Sequence, residues 1–242
     1  MTHAAPLLQA RGLIRHFGGL RAVDGVDFDL MPGEIHALIG PNGAGKTTLV
    51  GLLSGRIALQ SGSIHLAGVN IGHLPAHVRV RRGIAYTFQI TAIYPRLSVF
   101  DNVALACQSR GAPDLEHAVA AALALVKMAD LAGQEAGTLS YGHQRLLELA
   151  MGLALQPRIL ILDEPTQGLA AGEIAGFEAL VRSLVPKTTI LLIEHNMDVV
   201  MGVADRITVM NFGKILASGS PAEIRANRDV QAAYLGDAYV AS

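Results

Sequence analysis

Residues 40–47 of this chain are Gly40-Pro41-Asn42-Gly43-Ala44-Gly45-Lys46-Thr47, and this stretch decides the fold. It follows the apolar run Ile35–Ile39 and precedes a segment compatible with a helix, Thr48–Ser54. The three glycines allow a tight turn whose backbone N–H groups face inward and add to the positive end of the helix. Lys46 supplies a full positive charge, and Thr47 offers a hydroxyl to a magnesium ion. The stretch therefore predicts a nucleotide-phosphate site; the alternative is an ordinary glycine-rich surface turn.

The composition fits one nucleotide-binding core with a subdomain. The 242 residues are 51% hydrophobic and 16% charged, which is enough to bury a large core. The net charge is −1, and no basic run is long enough to bind nucleic acid, so nucleic acid is not an expected partner. The densest basic cluster, Arg79, Arg81 and Arg82, is interpreted as a solvated helix end.

Cysteine content and the N-terminus indicate a cytoplasmic location. One cysteine, Cys107, excludes an internal disulfide framework, and its apolar neighbours indicate plain burial. Residues 1–8 lack the basic and apolar regions of a signal peptide, and the longest apolar region, Ala118–Val126, is far too short to span a membrane.

Short apolar runs alternate with helical stretches and predict a parallel α/β sheet covered on both faces. These runs are Ile35–Ile39, Ile84–Thr87, Ile159–Leu162, Ile190–Ile193 and Ile207–Met210. In the first third, runs separated by glycine-rich turns predict antiparallel strands, at Leu7–Ala10, Val26–Leu30 and Ile64–Leu66. Between Gln89 and Leu139 helices replace strands, notably Val99–Gln108 and Leu115–Leu131. Ser220-Pro221 starts a short C-terminal helix.

Polar side chains follow three of the predicted strands, at the sheet edge where α/β folds bind ligands. Asp163 would hold magnesium through its water shell, and Glu164 would orient or deprotonate the attacking water; a charged turn is the alternative. His195 would contact the γ-phosphate, or it merely lies in a turn while Asn196 caps the next helix. Gln89 would reach magnesium or the water, or it is a solvated loop amide.

The segment Leu139-Ser140-Tyr141-Gly142-His143-Gln144, here called the signature segment, begins a long amphipathic helix. Ser140 is placed to cap the helix, so the segment is a second potential phosphate site. A second phosphate site in a chain with one phosphate loop suggests a dimer, in which the signature segment binds the nucleotide held by the partner. The alternative is an ordinary capped helix.

Taken in chain order, these elements resemble the ATP-binding subunits of ABC transporters, and the pattern Leu-Ser-x-Gly-x-Gln is specific to that superfamily. The elements are Gly40–Thr47, Gln89, Leu139–Gln144, Ile159–Glu164 and His195. More narrowly, four stretches are similar to the branched-chain amino-acid importer family. They are Phe17–Leu20, Gly33–Lys46, Thr87–Thr91 and Ala233–Gly236.

The resemblance implies the ABC ATPase fold in a single domain, 1–242. A P-loop NTPase core with a mostly parallel sheet and an antiparallel β subdomain would occupy 1–88 and 156–218. An inserted α-helical subdomain would occupy 89–155, and a short helical extension 219–242.

The resemblance also implies ATP and Mg²⁺ as cofactors and assigns a role to each site residue. It assigns catalytic roles to Glu164, His195 and Gln89. It assigns magnesium binding to Thr47, Gln89 and Asp163. Phe17 would stack on adenine. The residues that would bind the phosphates of ATP are Gly40, Pro41, Asn42, Gly43, Ala44, Gly45, Lys46, Thr47 and Thr48. The signature residues Ser140, Gly142 and Gln144 would close over ATP held by the opposite subunit.

The implied protein is a transport motor at the inner face of the cell membrane. Its partners would be membrane permease subunits, a second identical or different ATP-binding subunit and, indirectly, an extracytoplasmic solute-binding protein. The segment Ile90–Leu97 would face the permease. Three alternatives remain at this point: an ABC ATPase acting on ribosomes or DNA, a non-hydrolysing scaffold, and a kinase.

One position departs from the family pattern. Gly168-Leu169 is followed by Ala170-Ala171, where the family has Asp or Asn and often Pro. The polar side chain that helps couple the two sites of the dimer is missing. Coupling is then weaker, or a partner ATPase supplies the side chain.

Overall fold

The protein contains two β-sheets. Its structure, a computed structural model, describes residues 5–87 and 92–235. The first sheet is antiparallel and contains β1 (Leu8–Phe17), β2 (Leu20–Leu30), β4 (Ser61–Leu66) and β5 (Val69–Asn70), in the order β2-β1-β4-β5. The second contains β3 (Ile35–Ile39), β6 (Ile84–Tyr86), β7 (Ile159–Asp163), β8 (Thr189–Ile193), β9 (Arg206–Asn211) and β10 (Lys214–Gly219). Its order is β10-β9-β3-β8-β7-β6, and only β10 pairs antiparallel.

Nine α-helices occur in the described part of the chain. They are α1 (Lys46–Ser54), α2 (Ala76–Arg81), α3 (Val99–Arg110), α4 (Leu115–Leu125), α5 (Tyr141–Ala154), α6 (Ala171–Leu184), α7 (Met197–Val203), α8 (Pro221–Ala226) and the single turn α9 (Arg228–Val230). Short 3₁₀ turns lie at Ala129–Leu131 and Ala136–Thr138, and a π turn at Gln231–Leu235. Within residues 5–87 and 92–235, none of the helices is both long and apolar enough to cross a membrane.

The central strands are buried on both faces, as their unbroken apolar sequences require. Every residue of β3, β7 and β8 is buried. One face of the sheet packs on a core shared with α3–α6, and the other packs on α1 and the antiparallel sheet. Because β3, β7 and β8 are parallel neighbours, their carboxyl ends meet at one edge of the sheet.

The five predicted parallel strands are confirmed, and so are the capping roles of Ser140 and Ser220. The predicted helix Leu115–Leu131 is wrong in its second half. It ends at Leu125, and Lys127 then adopts a left-handed φ of 58°. The turn lets the amide of Met128 bond the carbonyl of Leu123 and places the Met128 side chain in the core.

The interpretation of Arg79 as solvated is also wrong, whereas Arg81 and Arg82 are exposed. Arg79 is 1% exposed, and its guanidinium donates to the carbonyl oxygens of Leu52 and Leu53 at 2.7 and 2.8 Å. Further bonds go to Gly72 and Leu74. Burial lowers the pKa of Arg79 to about 10, so it keeps its charge at neutral pH. A cation at the C-terminus of α1 satisfies carbonyls that the helix leaves open.

Candidate active site

A cavity of about 380 Å³ opens at the carboxyl edge of the parallel sheet. It brings together the predicted adenine-binding residue, most of the phosphate loop (residues 40–47) and both carboxylates. Its lining comprises Phe17, Leu20, Ala22, residues 42–48, Asp163, Glu164 and Ile193. Residues that are more than a hundred positions apart in sequence thus share one cavity.

The phosphate loop is pressed so closely against β2 and β9 that two positions accept only glycine. A Cβ atom on Gly45 would lie 2.1 Å from the carbonyl oxygen of Ala22, and one on Gly40 would lie 2.3 Å from that of Met210. Gly45 has a left-handed φ of 104° and is the N-cap of α1. The first-turn amides of a helix have no partner within it, so the start of α1 is suited to bind phosphate.

The ammonium of Lys46 folds back over the phosphate loop. Its Nζ donates to the carbonyl oxygens of Gly40 and Pro41 at 2.6 and 3.1 Å. Burial lowers the pKa of Lys46, while the negative charges of Glu164 and Asp163 act in the opposite direction. The two loop carbonyls are the partners that a phosphate oxygen would replace.

The two carboxylates at the end of β7 have different surroundings. Asp163 is 8% exposed, and the hydroxyl of Tyr86 donates to its Oδ2 atom. Glu164 adopts a left-handed φ of 48°, and its amide donates to the carbonyl of Ile193 at 2.8 Å. A non-glycine residue in this region of φ is uncommon, and such strain is concentrated at functional sites.

His195 lies beside Glu164, with 3.7 Å between its Nδ1 atom and the Oε1 atom of Glu164. Asn196 also caps α7, because its Oδ1 accepts from the amides of Asp198 and Val199. The cap by Asn196 is confirmed, and it fixes the loop from which His195 projects beside Glu164. The contact of His195 with the γ-phosphate stays a prediction.

Glu194 is a site residue to which the sequence analysis gave no role. It is 1% exposed, and its carboxylate accepts from the amide and hydroxyl of Thr166 at 3.1 and 2.5 Å. The same carboxylate accepts from the amides of His195 and Asn196. Glu194 thus ties the loop of His195 to the turn that follows Glu164. A carboxylate placed directly after a fully buried strand is the sequence signal that could have indicated it.

The signature residues do not line this cavity. Ser140 accepts from the amide of His143 at 3.3 Å, and Gln144 Nε2 donates to the carbonyl of Leu139 at 3.1 Å. A Cβ atom on Gly142 would lie 2.3 Å from Oε1 of Glu173, so Gly142 packs directly against α6. The chain therefore does not bring its own signature segment to its own phosphate loop.

Phe17, the predicted adenine-binding residue, lies at one end of the cavity. Phe17 lines the cavity with 45% of its surface exposed, and the guanidinium of Arg15 lies 4.8 Å from the centroid of its ring. One face of the ring is thus supported by a cation. Gln89, together with the neighbouring positions 88, 90 and 91, lies outside the described residues.

The family departure at Ala170 leaves the start of α6 without a side-chain cap. Ala170 is the exposed N-cap residue, and its side chain cannot accept a hydrogen bond. Of the two bonds of a capping box, only the one to Glu173 forms, in which Oε2 accepts from the Ala170 amide at 2.8 Å. We expect Ala170→Asn to stabilise the fold by about 1 kcal/mol, because Asn accepts from the first-turn amides. The thermal unfolding midpoint should rise by about 2–4 °C.

Ala175→Asn is the matched control, at an exposed position within α6. Asn is a poorer helix former than Ala, so this variant should unfold slightly earlier than the wild type. Equal midpoints for the two variants would contradict the capping argument.

Residues 23–167 match the family model described as ABC transporter. The chain belongs to the ABC transporter ATP-binding family. Residues 214–240 match a second model, described as branched-chain amino acid ATP-binding cassette transporter. This ABC subunit is 40% identical to the high-affinity branched-chain amino acid transport ATP-binding protein LivG of Escherichia coli K12, over 96% of the chain and 99% of LivG. It is 38% identical to the corresponding protein BraF of Pseudomonas aeruginosa, with the same coverage.

Solved structures agree with this assignment. The ADP conformation of MJ1267, an ATP-binding cassette of an ABC transporter, matches with a TM-score of 0.85 and 27% identity, over 97% of this chain and 100% of the other. A nucleotide-free ATP-binding cassette from an ABC transporter matches with a TM-score of 0.80 and 27% identity, over 97% and 96%. The predicted ABC ATPase fold is confirmed. The chain is a transporter ATPase rather than one that acts on ribosomes or DNA.

Proposed function

We propose that this ATPase is the motor subunit of an importer for branched-chain or related amino acids, at the inner face of the cell membrane. The observation that carries the motor function is the cavity that joins Lys46 and Thr47 to Asp163 and Glu164. The solute class rests on the likeness to LivG and BraF and on the match of residues 214–240.

The residues present fit Mg-ATP. Phe17 offers a ring face to adenine, and the phosphate loop with Lys46 faces the triphosphate. Mg²⁺ prefers oxygen ligands, and Thr47 and Asp163 provide a hydroxyl and a carboxylate on the same cavity. Gln89 stays a proposed third contact. The bound ion would neutralise charge on the β- and γ-phosphates.

Glu164 would orient the attacking water and accept its proton. It lines the cavity with 22% of its side chain exposed, so water can reach the carboxylate. His195, 3.7 Å away, would contact the γ-phosphate and respond to its loss. The buried carboxylate of Glu194 fixes the backbone beside both residues, because it accepts from the amides of Thr166 and His195.

A second ATP-binding subunit completes each site. Ser140, Gly142 and Gln144 lie away from the cavity of their own chain, so they suit the ATP of a partner. Contacts to the γ-phosphate from both subunits would favour the closed dimer, and hydrolysis would remove them and reopen it.

The surface that faces the permease is proposed around Tyr94 and Leu97. Tyr94 is 55% exposed and Leu97 36% exposed. Their segment is anchored by Asn102, which is fully buried and bonds both the amide and the carbonyl of Tyr94 at 2.7 and 3.0 Å. The backbone is thus fixed while the aromatic ring is available to a partner.

Reconstitution tests this function. The complex would be purified from native membranes, its companions identified, and the assembly placed in liposomes with its solute-binding protein. We expect leucine, isoleucine or valine to stimulate ATP turnover and a sugar to have no effect. Stimulation by the sugar alone would contradict the solute class, and purification without any membrane subunit would contradict the motor function.

A further inference from the structure

Tyr86 contacts the carboxylate of Asp163 because of the pairing between two strands. β6 and β7 are parallel neighbours, and Tyr86 lies beside Ile161. Side chains two residues apart on a strand share a face, so Asp163 is on the same face as Ile161. The Tyr86 side chain is long enough to reach from its position beside Ile161 to Asp163, two residues further along β7. Its hydroxyl donates to Oδ2 of Asp163.

The ring of Tyr86 is itself held in place. Arg56, an exposed residue just after α1, places its guanidinium 4.5 Å from the centroid of the ring. The half-buried ring therefore presents a fixed hydrogen-bond donor to the end of β7.

The bond restricts which oxygen of Asp163 is available. The phenol donates to Oδ2, so Oδ1 would be the oxygen left to accept from the water shell of the metal. Without the hydroxyl, the carboxylate could rotate toward Lys46, whose charge attracts it. Partners that orient metal-binding groups in this way commonly affect metal affinity by about 10- to 100-fold.

We propose that Tyr86 is a positioning residue that fixes Asp163 for the magnesium ion and thereby sets metal affinity without touching the nucleotide. The inference rests on the proposed function, because it takes Asp163 as the carboxylate that holds the water shell. Since Asp163 acts through water, the effect of Tyr86 should lie at the lower end of that range.

The test measures metal binding directly, with Mn²⁺ as a paramagnetic probe and the full-length protein saturated with ADP. In Tyr86→Phe we expect the half-saturating Mn²⁺ concentration to rise about tenfold. ADP affinity in EDTA should stay at the wild-type value. Ser109→Ala, which removes an exposed hydroxyl in α3 away from the cavity, should leave both values unchanged.

Asp163→Asn separates this inference from the function on which it rests. If it weakens Mn²⁺ binding and Tyr86→Phe does not, Tyr86 has no positioning role while the metal site stands. If neither variant weakens Mn²⁺ binding, the assignment of Asp163 to the metal is wrong as well. If Tyr86→Phe weakens ADP binding in EDTA to the same extent, Tyr86 supports the cavity generally, and the inference is overturned.

Discussion

Glu164→Gln is expected to bind ATP normally and to lose turnover by at least about a hundredfold, the usual contribution of a positioned general base. The amide keeps the size of the side chain but cannot accept a proton. Steady-state ATP hydrolysis by the assembled complex measures the loss. Because the γ-phosphate then persists, size-exclusion chromatography in Mg-ATP should show a closed dimer that the wild type forms only transiently.

Glu116→Gln is the control for this variant. Glu116 is exposed in the first turn of α4 and does not line the cavity, so the change removes the same charge without altering the site. Its turnover should equal that of the wild type. Near-normal hydrolysis by Glu164→Gln would remove Glu164 from its proposed role.

Local sequence signals predicted the parts of the fold that depend on neighbouring residues. The phosphate loop, the buried strands and the caps by Ser140 and Asn196 each occupy a few consecutive positions, so their residue types reveal them. The position of Asp163 and Glu164 at the cavity followed from one general rule, that ligands bind where parallel strands end.

Contacts across the sheet could not be predicted in the same way. The bond from Tyr86 to Asp163 depends on the register between β6 and β7, and the bond from Thr166 to Glu194 depends on how two loops meet. Arg79 looked solvated because its neighbours are charged, yet its environment is set by the distant end of α1. The strand β10 was not predicted either, since it alternates exposed and half-buried residues at an edge of the sheet.

The two-subunit site illustrates a further limit of single-chain analysis. The pattern of the signature segment predicts a capped helix start, and the structure shows that cap at Ser140. The residues of the segment do not indicate whether this helix start binds the nucleotide of its own chain or that of a partner. The family pattern supplied that expectation, and the separation of Gly142 from the cavity is consistent with it.

Lys46→Ala should weaken Mg-ATP binding by about 2–3 kcal/mol, the contribution of a charged hydrogen bond. This loss corresponds to about a 30- to 150-fold higher Kd. Lys46 is held over the loop by the carbonyls of Gly40 and Pro41, so ATP exchanges these neutral acceptors for charged phosphate oxygens. Titration calorimetry with Mg-ATP on Glu164→Gln, with and without Lys46→Ala, measures the change without hydrolysis.

Stability should change little in the same variant, which separates binding from folding. The ammonium of Lys46 loses hydration through burial, as its lowered pKa reflects, and this cost offsets its two bonds to the loop. The thermal midpoint without nucleotide should therefore stay near that of the parent protein. Lys187→Ala, at an exposed position before β8, is the control and should bind Mg-ATP as the parent does. Equal Kd values for the two lysine variants would exclude the phosphate loop as the triphosphate site.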